Sequence, residues 1–284
     1  MPSDLAYLFV AHGSRDPRSA QALQQLLAAV RVRLSTDKLS ATHKLSAAQG
    51  VTSEGEPLIE GAVLECHPLP LHAQVQQFGE QSLQSGCQRM LVVPLFLVAG
   101  VHVMHDIPRE LAIAQASLGN RLKLQLAPHL GSHRGMLQIL REQMHPATAT
   151  AWILIAHGSR QSGSQEAIQA LVTHLGSLVK GRSETLAAYW SLPPDLSTQL
   201  SVLIAAGHHD IGLLPYVFFA GGITDGVAQV AAFTTQQHPG VKLHLAPVLA
   251  AHPGLTNLML DYMSVPSRDA EQLGVADYPI SSKG

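Results

Sequence analysis

The chain has 284 residues, 46% of them hydrophobic and 13% charged, with a formal net charge of -2. That composition sustains a sizeable core and excludes a disordered chain, while the charge balance gives no electrostatic basis for a nucleic-acid partner. Cys66 and Cys87 stand in no metal-ligand spacing, no apolar run reaches the roughly 18 residues of a bilayer span, and the opening MPSDLAYLFV lacks a basic leader, so a cytoplasmic chain without a membrane partner is expected.

Taken in chain order, LAYLFVA (5–11) is the first predicted strand, a short apolar run of the kind buried on both faces. It ends at His12 within AHGSRD (11–16), where Gly13 permits a sharp turn and Ser14 offers a hydroxyl. Asp16-Pro17 is expected to cap a helix over Ala20–Leu34, whose leucines and alanines recur three and four apart. Residues 35–57 are polar and aperiodic, which predicts a flexible loop. Three further strands follow, GAVLEC (61–66), RMLVVPLFLV (89–98) and LKLQLAP (122–128). Helical patterns over residues 70–85, 107–118 and 134–144 separate them, and Asp106 before Ile107-Pro108 is expected to cap the second of these.

The chain is written twice. YLFVAHGSRDPRS (7–19) matches WILIAHGSRQSGS (152–164), VVPLFLVAGVHVMHDI (92–107) matches LLPYVFFAGGITDGVA (213–228), and LQLAPHLGSHRGMLQIL (124–140) matches LHLAPVLAAHPGLTNLM (243–259). Strands are accordingly expected near 151–156, 184–190, 211–219 and 241–246, and two domains over 1–147 and 148–284. Alternation of strand and helix predicts two tandem flavodoxin-like α/β domains, each a parallel sheet with helices on both faces, in which ligands gather at the carboxyl ends of the strands.

His12 and His102 both fall at such ends, and two neutral imidazoles make a partial site for a divalent transition metal or a pair of proton acceptors. Glu65, closing the second strand, is the candidate third member, and His105 a secondary one. Taken singly, each also reads as a structural strand-end histidine or a solvated carboxylate. In the second half His157 is retained, but Ile223 replaces His102. One working site is therefore expected, in the first half, with the second half shaping the far wall of a cleft. Ser14, Arg15 and Arg160 beside the strand ends are candidates for binding carboxylates, though loop polarity and surface charge explain them equally.

LFVAHGSRDPRS, AVLECHPLP and VVPLFLVAGVHVMHDIP resemble the sirohydrochlorin chelatase family, the class II chelatases of siroheme and cobalamin synthesis, and with the second copy the resemblance covers nearly the whole chain. It implies insertion of Fe(II), Co(II) or Ni(II) into the tetrapyrrole sirohydrochlorin or a precursor, without ATP or an organic cofactor. It carries the catalytic, metal-holding pair onto His12 and His102 and, more weakly, an acidic role onto Glu65. It also implies a monomer whose halves pair as the homodimeric single-domain relatives do. This chain has neither a histidine-rich tail nor a cysteine cluster, which leans toward the iron-inserting branch.

A histidine phosphatase wants arginine before the histidine, and Ala11 stands there. The sequence carries no G-x-G-x-x-G, G-x-x-x-x-G-K-[ST] or G-x-S-x-G motif. A two-lobed metal- or tetrapyrrole-delivery protein without catalysis is the remaining alternative.

Overall fold

The computed structural model describes residues 4–45, 57–144, 149–161, 163–178 and 184–264. Four strands, β1 (Leu5–Ala11), β2 (Ile59–Val63), β3 (Arg89–Pro94) and β4 (Lys123–Leu126), form an all-parallel sheet in the order β2-β1-β3-β4. A second parallel sheet repeats this order as β6-β5-β7-β8, from β5 (Ala151–Ala156), β6 (Glu184–Tyr189), β7 (Asp210–Pro215) and β8 (Lys242–Leu245). Eight α-helices accompany them among the described residues: α1 (Pro17–Leu45), α2 (Leu71–Gln84), α3 (Ile107–Leu118), α4 (Met136–Gln143), α5 (Ser164–Leu178), α6 (Leu196–Ala205), α7 (Gly222–Gln237) and α8 (Pro253–Ser264). The expected α/β architecture, duplicated, is what the chain adopts.

Both central strands are buried along their whole length, so each needs helices on both faces. Ala6, Leu8 and Val10 of β1 meet Leu71, Val75 and Phe78 of α2 and Ile107 and Leu111 of α3. Each such side chain withdrawn from water is worth about 1.5–3 kcal/mol. The opposite face is close-packed against α1: a Cβ on Gly61, which pairs with Phe9, would stand 2.8 Å from a methyl of Leu27. Tyr7, on that same face, donates its hydroxyl to the carbonyl of Met263 in α8 at 3.1 Å. In the second sheet Ile153 and Ile155 meet α6 through Leu196, Leu200 and Leu203, and Gly212 leaves room for the buried Trp152 ring, which a Cβ would approach to 2.2 Å.

Two compact units result, and they do not follow the repeat. Among the described residues, one takes those up to Gly131 together with Thr256–Ser264, and the other takes Ser132–Leu255. The copies thus exchange their last helices. α4, encoded by the first copy, belongs to the second unit, where Gln143 Nε2 donates to the Pro247 carbonyl at 2.9 Å and Glu142 pairs with His252 at 3.4 Å. α8, encoded by the second copy, belongs from Thr256 onward to the first.

Two local expectations are corrected. The loop expected from residue 35 is helical through Leu45, because the stretch contains neither Pro nor Gly. Its first polar residues are absorbed along the helix: Ser35 and Thr36 donate their hydroxyls to the carbonyls of Arg31 and Val32 at 3.1 and 3.0 Å. Residues 46–56 of that predicted loop lie outside the described residues. Asp106 does not cap α3: its backbone is helical (φ -71°, ψ -50°) and its carboxylate makes no capping bond. Asp16, by contrast, does accept the backbone N–H of Arg18 at 2.9 Å at the start of α1. Among the described residues no helix is long and apolar enough to cross a membrane.

Candidate metal centre

The parallel ladder of the first sheet continues beyond its strands and sets the site. Leu64 N–H donates to the Ala11 carbonyl at 2.9 Å and Glu65 N–H to the His12 carbonyl at 2.8 Å, which places Glu65 beside His12. Gly13 turns the chain away at φ +95°, a conformation that L side chains rarely adopt. Directly after Glu65 the chain turns again, at Cys66, where a non-glycine residue adopts φ +60°. Beyond β3 the chain runs to His102, the first residue of a single π-helical turn, His102–Asp106, that leads into α3. Such turns are rare and frequently mark functional sites.

These three segments converge. His12, Glu65 and His102 each offer a ligand atom, and the three atoms lie within 4.8 Å of one another, with His12 and Glu65 exposed and His102 half-buried. The two Nε2 atoms are 3.3 Å apart, and the rings meet edge to face at 79°. Phe96 lies 6.1 Å from one ring centroid and 6.2 Å from the other, an apolar support joined to the core below. His12 Nδ1 faces the Gly13 carbonyl at 3.1 Å, and His102 Nδ1 faces the Asp106 carboxylate at 2.8 Å. Carbonyl and carboxylate oxygens accept, so in the neutral rings both Nδ1 atoms carry the hydrogen and both Nε2 atoms keep lone pairs for the centre. Two nitrogens bound at roughly 2.0–2.1 Å with a tetrahedral angle between them stand about 3.3–3.4 Å apart. The geometry therefore suits a single transition-metal ion, with Glu65 as an oxygen donor and positions left open.

The equivalent edge of the second sheet has lost this chemistry. Trp190 N–H donates to Ala156 and Ser191 N–H to His157, both at 2.9 Å, so Ser191 stands where Glu65 does. Its hydroxyl donates to the His157 carbonyl at 2.8 Å. With Ile223 in the first turn of α7 in place of His102, His157 is the one donor of three that remains.

Of the other candidates, Ser14 is occupied in its own turn, its hydroxyl accepting the Asp16 N–H at 3.0 Å. Arg15 and Arg160 are exposed, and neither has a hydrogen bond or ion pair among the described residues. His105 is exposed and stays outside the donor cluster. Asp106 and Phe96 were not expected at the site. The four-residue spacing of His102 and Asp106 was the available signal for the first; nothing in the sequence singled out the second.

The fold and site define a duplicated parallel α/β protein in which three side chains able to hold a metal meet at one strand edge. The CbiX family matches residues 6–147 and again 151–264, and the chain belongs to that family. The sirohydrochlorin ferrochelatase of Bacillus subtilis (strain 168) is 20% identical over 270 residues, which cover 94% of this chain and 93% of the relative. The sirohydrochlorin cobaltochelatase of Priestia megaterium is 22% identical over 260 residues, 89% of this chain and 76% of that one. Among solved structures, SirB from Bacillus subtilis with Fe3+ superposes with a TM-score of 0.71 at 19% identity, covering 96% of this chain and 99% of SirB. The sirohydrochlorin chelatase SirB from the spizizenii subspecies, in complex with cobalt, gives 0.67 at the same identity and covers 96% of each chain.

Proposed function

We propose that the chain inserts a divalent metal, Fe(II) or Co(II), into sirohydrochlorin, with His12, Glu65 and His102 holding the metal as it is delivered. The observation that carries this reading is the convergence of these three donors at one strand edge of a CbiX-family chain. The relatives named for sirohydrochlorin with iron and with cobalt supply the substrate class.

The reaction exchanges one M(II) for two pyrrole protons. The metal is substrate, so the site must bind it and then release it. Two imidazoles and one carboxylate form an incomplete shell whose open positions admit macrocycle nitrogens while the protein ligands are still attached. As each imidazole loses the metal, its Nε2 lone pair is free at the place where a pyrrole proton leaves, and His12 and His102 serve as the proton acceptors. Arg15, exposed and unpaired among the described residues and three positions from His12, is suited to a carboxylate of the macrocycle, since guanidinium binds carboxylate in a bidentate manner. Ser14 offers a weaker contact of the same kind. The first copy carries the reaction, and among the described residues the second carries no equivalent donor set. No organic cofactor is invoked, and one chain with its two copies takes the place of two subunits.

Anaerobic incubation with sirohydrochlorin and Fe(II), Co(II) or Ni(II) in parallel, followed by the macrocycle's absorption, tests the reading. A metal-dependent spectral shift at catalytic protein concentration is expected with Fe(II) or Co(II). Stoichiometric binding of metal or macrocycle without that shift would instead support a delivery protein.

A further inference from the structure

We infer that Asp106 is a positioning residue for this reaction, fixing His102 so that Nε2 is presented to the metal; the inference rests on the chelatase reading above. Asp106 Oδ2 accepts from His102 Nδ1 at 2.8 Å, while the opposite nitrogen of the same ring faces His12 Nε2 at 3.3 Å. A carboxylate behind a metal-binding imidazole sets the ring's tautomer and orientation and raises its basicity as a ligand.

The ordinary role for an Asp before a helix is capping, and Asp106 makes no capping bond. Its other oxygen lies 3.9 Å from the guanidinium of Arg109, a side chain 68% exposed, so that pair contributes little. The close partner of Asp106 is therefore His102.

The π-helical turn ties this pair to the site. Pro94 and Pro215 lie 121 positions apart, as do His102 and Ile223, yet the buried helix faces align Ile107 with Val227 and Ala114 with Thr234, which lie 120 apart. One residue is thus extra in the first copy, between positions 102 and 107. A π-helical turn is what one surplus residue makes of a helix, and it spans His102–Asp106. The second copy starts α7 at Gly222 without such a turn, and the counterpart of Asp106 is Gly226 or Val227 according to the alignment taken. Imidazole, carboxylate and surplus residue are absent there together, as expected if they work as one device.

The test titrates Co(II) alone into the full chain and into Asp106→Asn, Asp106→Ala and His102→Ala, reading the visible ligand-field absorption, then measures turnover with Co(II) and sirohydrochlorin. Asp106→Ala is expected to weaken Co(II) binding by about 10–100-fold and to alter the ligand-field bands. Asp106→Asn, whose amide oxygen still accepts from Nδ1, is expected to recover part of both and guards against a folding artefact. Wild-type affinity, bands and turnover in Asp106→Ala, alongside a loss in His102→Ala, would overturn the role of Asp106 and leave the chelatase reading standing. A wild-type chain that binds no Co(II) would overturn both.

Discussion

Gly13 and Glu65 are locked together: a Cβ placed on Gly13 would stand 2.0 Å from the carbonyl oxygen of Glu65. The obstacle is backbone, held by the Glu65 N–H bond to the His12 carbonyl, so neither segment can step aside without moving a proposed metal donor. Gly13→Ala is therefore expected to suffer twice. The positive φ alone costs about 1–3 kcal/mol, and relief of the clash separates His12 from Glu65. Gly119→Ala is the comparison, since Gly119 also has positive φ (59°) but nothing within 4 Å of its Cβ. Thermal melts should fall for both variants, whereas metal insertion should collapse only in Gly13→Ala. Equal turnover in the two would remove Gly13 from the construction of the site.

His12→Ala and His102→Ala should abolish insertion while leaving the fold intact. Neither ring is buried in the core, so stability should change by no more than about 0.5 kcal/mol. Loss of a positioned proton acceptor typically costs 10²–10⁴-fold, and on the proposed mechanism each variant loses a metal donor as well. Steady-state insertion rates and melting curves on the same preparations decide it, and normal turnover in either variant would sink the assignment.

Much of this was legible in the sequence because the signals are local. Buried parallel strands read as apolar runs, and all eight strands overlap the runs that predict them. β2 nevertheless lies two to three residues earlier than expected, leaving Glu65 beyond its end, and β3 and β7 stop at Pro94 and Pro215. The repeat identified Ile223 as the substitute for His102. What the sequence hid depends on how segments meet in space. The exchange of α4 and α8 leaves no trace in periodicity, since an amphipathic helix does not record which sheet it covers. The single surplus residue behind the π-helical turn is invisible until buried faces are superposed, and so Asp106 reads as a cap. The loss of Glu65 in the second copy was hidden because the β2 and β6 regions share no motif; only the ladder from His157 to Ser191 aligns them.

That ladder leads to a stoichiometry. With Ser191 and Ile223 in place of a carboxylate and an imidazole, His157 alone cannot hold a metal at the second edge. Titration of Co(II) should show one site per chain, unchanged in His157→Ala and lost in His12→Ala. Two equivalents bound with similar affinity, one removed by His157→Ala, would show a working second site.

Two groups outside the site give the fold opposite pH limits. Burial pushes the His129 imidazole down to about 4 from an ordinary value of 6.5, so the unfolded chain binds the extra proton first as pH falls. Its contribution, up to about 3 kcal/mol, is fully present above pH 6.5 and is lost progressively between 6.5 and about 4. Burial drives the Tyr7 hydroxyl the other way, up to about 12 from 10.0, with the nearby Arg89 opposing the shift only partly. The folded chain then keeps a proton that the unfolded chain has released. About 2–3 kcal/mol is present below pH 10 and lost between pH 10 and about 12. Tyr7 also ties β1 to α8 through Met263, so Tyr7→Phe should lower stability by about 1 kcal/mol near neutrality and flatten the alkaline limb. His129→Gln should flatten the acid limb and leave the alkaline one unchanged. Urea unfolding at a series of pH values separates the two, and an acid limb of unchanged slope in His129→Gln would assign that limb to other groups.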